Sequence, residues 1–413
     1  MQELRLIGPF SQLLTLDHLP AKGPLGDDQL EIITDAGILV KGTILETGKF
    51  KNLLTKHYSS LESFEEIDSP AVAIPGLIDA HTHICWAGSR AGDYAMRLAG
   101  KTYPDIAKAG GGIWSTVTKT RQASLEELTN MTAMRANRML QRGVTTLEVK
   151  SGYGLDLPNE LKMLEGIKKA NEKAAYDLIS TCLAAHIKPN DFNGSPYEYL
   201  QWIIRELLPV VKSRNLSQRV DIYVDEGAFT TDDARYYLGE AKKLGFDIIV
   251  HADQFDRGGI KVAVELEATS ADHLEVTSDE DIKIIAGSRV IPIALPGASL
   301  GLGVSFAPAR KLLNAGASLA IASDWNPGSA PMGNLLTAAS ILGIYEKLTI
   351  AETLAAITSR AAASLRATDR GMLKKGLLGD FITFPCADYK EILYNQGSML
   401  PDAVWKCGKR VVE

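Results

Sequence analysis

Residues 81 to 90 read HTHICWAGSR, with His81 and His83 one residue apart directly after the apolar run VAIPGLIDA. On an extended strand, side chains at i and i+2 point to the same face. The pair therefore presents two imidazoles together. Further along, His251 stands in FDIIVHAD and Asp324 in SLAIASD, again at the ends of short apolar runs. Three imidazoles and one carboxylate form a ligand set for one Zn²⁺ or a similar ion, with a position left open for water. A lone histidine at a strand end is more often a hydrogen-bonded core residue, so the reading as ligands rests on four such residues in a consistent order.

The elements that must position them follow from the chain's pattern. From about residue 72, short β-rich runs alternate with longer segments of helical period, as in βα units around a parallel sheet. There are eight runs: VAIPGLIDA, VTTLEVK, LISTCLAAH, VDIYVDE, FDIIVHAD, ATSADHLE, RVIPIALP and SLAIASD. Between the second and third, Leu161, Leu164 and Ile167 recur at helical spacing beside lysines. The pattern predicts an α/β protein built on a (β/α)8 TIM-type barrel over residues 71–364. Barrel chemistry sits at the C-terminal ends of the strands, and here those ends carry His81 and His83, Glu148 and Lys150, His186, Asp225 and Glu226, His251, His273 and Asp324. Five of the chain's seven histidines fall there, which chance would not arrange. The flanks, 1–70 and 365–413, alternate as strands do in LEIITDAGILVKGTILETG and GDFITFPCADYKEILYN. Neither is long enough for a sheet domain alone, so the two ends are expected to form one small β-sandwich domain together.

Composition narrows the function. The 413 residues are 46% hydrophobic and 23% charged, with net charge −6. That is a globular balance, without the basic field that gathers nucleic acid. No apolar stretch is long enough to span a membrane, and MQELRLIGPF does not read as a signal peptide. The four cysteines are scattered without CxxC pairing. These features predict a cytoplasmic protein acting on a small molecule. Apolar helical faces in 200–215 and 335–360 suit either a subunit interface or the barrel's own surface.

The stretches PGLIDAHTH and SDWNPGSAP resemble the amidohydrolase superfamily. With HTHICWAGSR, YAMRLAGKTYPDIAKAGGGIWSTVTKTR, GVTTLEVKSGYGLD, SADHLE and FAPARKL, the resemblance is to its imidazolonepropionase family, over about residues 75 to 335 and again in GDFITF and VWKCGKRV. It implies metal-dependent hydrolysis of 4-imidazolone-5-propanoate to N-formimidoyl-L-glutamate in histidine degradation. It also implies one metal ion, Zn²⁺ or Fe³⁺, on His81, His83, His251 and Asp324, with Asp324 carrying a proton from water to the leaving nitrogen. By the same resemblance, Arg90 binds the propionate, with Tyr153 and His186 beside it and Asn326, Gly328 and Ser329 at the substrate. A homodimer is implied as well. Tyr103 in GKTYPD is a weaker candidate, explained equally by loop packing. Gly111 and Gly112 in AGGGIWSTV lack the GK[ST] that would follow in a P-loop, and read instead as a loop covering the active site.

Two features depart from the pattern. HADQF puts Gln254 where several relatives of this type carry Glu, and an amide is no carboxylate base. His273 is then the stronger candidate for orienting or deprotonating the water, with Gln254 holding the ring by hydrogen bonds. Lys150 lies on the second strand, not the fourth where binuclear relatives use a carboxylated lysine, and with Glu148 it reads as an interior ion pair. One metal is expected. The rivals are a deaminase of the same superfamily, against which Arg90 argues because a neutral base has no propionate, and a non-catalytic binding barrel, which has no need of an open metal site.

Overall fold

The computed structural model describes residues 3–412 except Ser69 and Ala174, and except the side chains of Tyr103, Pro104 and Ala107. The run VAIPGLIDA is divided at Gly76. Val72–Pro75 joins a sheet made from the chain ends, and Leu77–Asp79 begins the barrel. The crossing admits only glycine, since a Cβ on Gly76 would lie 2.4 Å from Thr145 Oγ1.

Eight strands form the barrel in sequence order, each parallel to its neighbours: Leu77–Asp79, Val144–Lys150, Asp177–Ala185, Arg219–Tyr223, Asp247–Ala252, Ser270–His273, Ile291–Ala294 and Ala320–Ile321. They fall on the eight runs read from the sequence. The ring closes just past the first and last strands, where Asp324 N–H donates to His81 O at 3.0 Å and His83 N–H to Trp325 O at 3.0 Å. Closure thus runs through the residues expected to hold the metal. Between the second and third strands, helix Leu157–Asn171 buries Leu161, Leu164 and Ile167 against the barrel, and the Asp156 side chain caps it by accepting from Asn159 N–H at 2.8 Å.

The terminal sheet also has eight strands, and Val72–Pro75 joins its two halves. That strand pairs parallel with Arg5–Leu14 on one side and antiparallel with Phe381–Phe384 on the other. Strand alternation divides its side chains between two cores. Phe381, Trp405 and Ala73 join Ile7, Phe10, Ile38 and Val40 in the sheet's own cluster. Their neighbours Ile382, Phe384, Val404, Val72 and Ile74 pack into the barrel's cluster. The sheet folds over its own core, since Gly379 N–H donates to Gly42 O at 2.9 Å and Gly408 N–H to Gly379 O at 2.8 Å. Lys406 and Arg370 fasten it to the barrel through Asp177, at 2.7 and 2.5 Å. Among the described residues, no helix is long and apolar enough to cross a membrane.

Candidate active site

Just past the first strand stand His81 and His83, whose Nε2 atoms face each other at 3.3 Å. His81 is turned by Asp272, whose Oδ2 lies 2.6 Å from its Nδ1. His251, at the end of the fifth strand, has Asp221 Oδ2 2.9 Å from its Nδ1. Ligand atoms of these three histidines all lie within 4.8 Å of one another. Asp324 Oδ1 is 3.4 Å from His83 Nε2 and 3.6 Å from His81 Nε2. Asp324 takes the left-handed conformation, φ +52°, to deliver that carboxylate.

The donors fit a metal ion. Among the described residues His251 Nε2 and Asp324 Oδ1 are buried without a hydrogen-bond partner, an arrangement that costs free energy unless a ligand satisfies them. Burial, with Lys150 and the other imidazoles adding to it, holds His81 and His83 well below the usual histidine pKa. Burial also lowers His251 to about 4 against the pull of Asp221. All three are therefore neutral at pH 7, the form that ligates. Three neutral imidazoles beside a buried carboxylate are a donor set that could hold a metal ion.

Lys150 lies beneath the site, with Nζ 2.8 Å from both Glu148 Oε1 and Asp221 Oδ2. Burial disfavours its charge, but the surrounding carboxylates raise its pKa above the ordinary lysine value. As an ammonium in ion pairs it has no free pair for a second metal. The expected partner Glu148 is present. Asp221 and Asp272, which orient His251 and His81, were not singled out in the sequence. Their one local signal is an acidic residue inside a short strand, in VDIYV and in SADH.

One cavity of about 700 Å³ is lined by His83, His251, His273 and Asp324 together with Arg90, Tyr153, His186, Gln254, Asn326, Gly328 and Ser329. His81 is fully buried behind it. Ile106 and Ile113 also line it, so the segment around Gly111 and Gly112 borders the cavity. Tyr103 opens the helix Tyr103–Lys108, and its side chain lies outside the described residues. Two arginines face this space, and their partners differ. Arg97 gives both terminal nitrogens away, to Gly301 O at 2.6 Å and Gly328 O at 3.1 Å. Arg90 gives only Nε, to Asp93 at 2.7 Å, and among the described residues its terminal nitrogens meet no acceptor.

The remaining side chains are held in defined poses. His186 is neutral, burial lowering its pKa to about 3, and its Nδ1 lies 3.0 Å from Gly152 O. That contact puts the proton on Nδ1 and leaves Nε2 an acceptor. Its ring stacks on His83 at 5.6 Å. Gln254 Oε1 accepts from the Tyr223 hydroxyl at 2.9 Å. His273 stands at φ +90° with its Nδ1 3.5 Å from Glu275 Oε2. Burial opposes its cation, but Glu275 raises its pKa above the ordinary value.

Asn326 lines the cavity and also holds its own turn. Its Oδ1 accepts from Gly328 N–H at 2.7 Å and Ser329 N–H at 2.8 Å, while its Nδ2 donates to Asp324 O at 2.8 Å and Ser329 Oγ at 2.9 Å. With every amide position engaged, it shapes the turn after Asp324. Gly328 makes room for Arg90, since a Cβ there would stand 2.4 Å from Nη1.

Comparison with known proteins gives the family. A model of the amidohydrolase family matches residues 106–412. The imidazolonepropionase of Alkaliphilus oremlandii (strain OhILAs) is 42% identical over 342 residues, 82% of this chain and 81% of that protein. That of Bacillus cytotoxicus is 37% identical over 411 residues, 98% of this chain and 95% of the relative. In fold, the chain is similar to a mutant of the atrazine chlorohydrolase TrzN of Arthrobacter aurescens TC1, complexed with zinc and atraton. The TM-score is 0.72 at 16% identity, covering 99% of this chain and 95% of that one. With identity of this order across nearly its whole length, the chain belongs to the imidazolonepropionase family of the amidohydrolases.

Proposed function

We infer that the protein hydrolyses 4-imidazolone-5-propanoate to N-formimidoyl-L-glutamate, the ring-opening step of histidine degradation that its relatives are named for. The observation that carries this reading is the unpaired edge of Arg90 in the same cavity as the histidine and aspartate cluster. The cavity thus joins a site for a propionate to a site for hydrolysis.

His81, His83, His251 and Asp324 would hold the metal, which supplies a Lewis acid for the ring carbonyl and lowers the pKa of water towards about 7. Zn²⁺ suits three imidazoles and a carboxylate; Fe³⁺ is the alternative, and elemental analysis of the purified protein decides between them. Asp324, with Oδ1 unpartnered, receives the proton of the attacking water and passes it to the ring nitrogen as the carbon–nitrogen bond breaks. His273, with Glu275 Oε2 3.5 Å from its Nδ1, orients that water with its other nitrogen. Gln254 has its oxygen occupied by Tyr223, so its amide N–H donates to a substrate oxygen and no base is asked of it. Arg90 pairs with the propionate, flanked by Tyr153 and His186, and Ser329 offers its hydroxyl hydrogen.

The free cysteines Cys85, Cys182 and Cys386 are buried, which supports a reducing, cytoplasmic setting. The face at 200–215 is taken up within the chain, where Ile203, Leu207, Leu208 and Val211 are buried. Ile344 and Tyr345 remain exposed at 63% and 66%, which supports a homodimer through the 335–346 helix; sedimentation of the protein and of Tyr345→Glu tests it. The reaction itself is tested with fresh imidazolone propionate, following loss of its ultraviolet absorbance and formation of formimidoyl glutamate by mass, beside a metal-stripped control for spontaneous opening. Metal-dependent product supports the assignment. Absence of acceleration by metal-loaded protein refutes it and turns the search to other cyclic amides and to deaminations.

A further inference from the structure

Asp93 lies in the first turn of the helix Ala91–Leu98, three residues after Arg90, and is buried although it carries a charge. Its Oδ2 accepts two hydrogen bonds at once, from Arg90 Nε at 2.7 Å and from Gly112 N–H at 2.8 Å. Two glycines close on the pair from different parts of the chain. A Cβ on Gly111 would stand 2.5 Å from Asp93 Oδ1, and one on Gly328 would stand 2.4 Å from Arg90 Nη1. Neither neighbour can carry a side chain without displacing the carboxylate or the guanidinium.

An untethered arginine samples many rotamers and loses that freedom on binding. Here Nε is tied, the planar group is wedged, and the end-on edge meets no acceptor among the described residues. That edge is the one suited to a bidentate carboxylate. Asp93 also reaches Gly112, next to Ile113 on the cavity wall, so one carboxylate fixes both the arginine and the loop beside it. We infer that Asp93 is a positioning residue for carboxylate recognition: it sets Arg90 in its binding pose before the substrate arrives and fastens the Gly111–Gly112 segment to it. This rests on the reading above that the substrate bears a carboxylate. Asp93 neutralises part of the arginine's charge, so its contribution comes through fixed geometry and a smaller ordering cost on binding.

Calorimetric titration of the metal-loaded enzyme with 3-(imidazol-4-yl)propionate and with its carboxamide tests this. Wild type should prefer the acid. Asp93→Asn should weaken the acid about tenfold and leave the carboxamide unchanged, because only the carboxylate uses the locked fork. Gly111→Ala, which crowds Asp93 from outside the ion pair, should act in the same direction. In an Arg90→Ala background Asp93→Asn should change neither affinity, since the residue it positions is gone. Equal weakening of both probes would mark Asp93 as merely structural and overturn the inference, as would wild-type affinity for the acid in Asp93→Asn or no acid preference in wild type. If wild type fails to open imidazolone propionate yet keeps an acid preference that depends on Asp93, the substrate reading falls and the positioning role stands.

Discussion

An imidazole has two ring nitrogens, and the group at one decides what the other does. Asp272 at His81 and Asp221 at His251 leave the opposite nitrogens for a metal. Asp272→Asn keeps the shape and removes the carboxylate acceptor beside His81 Nδ1, so metal affinity should fall about 10- to 100-fold while activity at saturating metal stays close to wild type. Competition against a chelator measures the first, and unchanged affinity would remove Asp272 from the site. Asp324→Asn should abolish turnover even where some metal stays bound, because the amide cannot accept and return a proton. Turnover near wild type, measured beside metal content, would place the proton transfer elsewhere.

At the scale of elements, the joint between barrel and terminal sheet turns on Asp177, which opens the third barrel strand and meets Lys406 and Arg370. Burial alone would raise its pKa, yet the two cations outweigh it and hold the group below the usual aspartate value. A carboxylate depressed on folding stabilises the native state above its unfolded pKa, near 4, and loses that contribution as pH falls through the folded value. The side chain is 41% exposed, so screening limits the effect to about 1 kcal/mol. Asp177→Asn should therefore lower unfolding stability by about that much at pH 7, with the difference from wild type shrinking as the pH falls below about 4. Denaturant titrations at the two pH values check this, and a gap that persists in acid would assign the loss to packing.

For the whole molecule, the metal site is also part of the barrel's closure. His81 and Asp324 are joined by a backbone hydrogen bond of 3.0 Å and would share one ion. A ligand bound only by the folded state adds about 4 kcal/mol when present at a thousand times its dissociation constant. Stripping the metal should thus lower the melting temperature as well as end turnover, and readdition should restore both. An unchanged melting temperature after complete removal would show that the barrel closes without help from the ion.

How much of this the sequence determined follows from what is local. Strand alternation repeats every two residues and helical spacing every three or four, so the barrel runs, the amphipathic helix at 157–171 and the polar strand ends can be read without knowing what they face. The HxH pair is local in the same sense, and Arg90 with Tyr153 and His186 came through resemblance, which carries inherited contacts. The pairing of elements distant in the chain had no such signal. Splitting VAIPGLIDA at Gly76 depends on Thr145 crossing there, and Asp221 and Asp272 look like isolated polar residues until the fifth and first strands bring histidines beside them. Arg90 and Arg97 are equivalent by type, and only the loops after the seventh and eighth strands make one a clamp and leave the other open. The hydrogen bonds by which Asn326 builds its turn appear only once that turn has folded. Residue chemistry and strand period belong to the chain itself, whereas the partner of each polar atom is set by tertiary closure, because hydrogen bonds and ion pairs form between groups brought within about 3 Å of each other and not between positions in sequence.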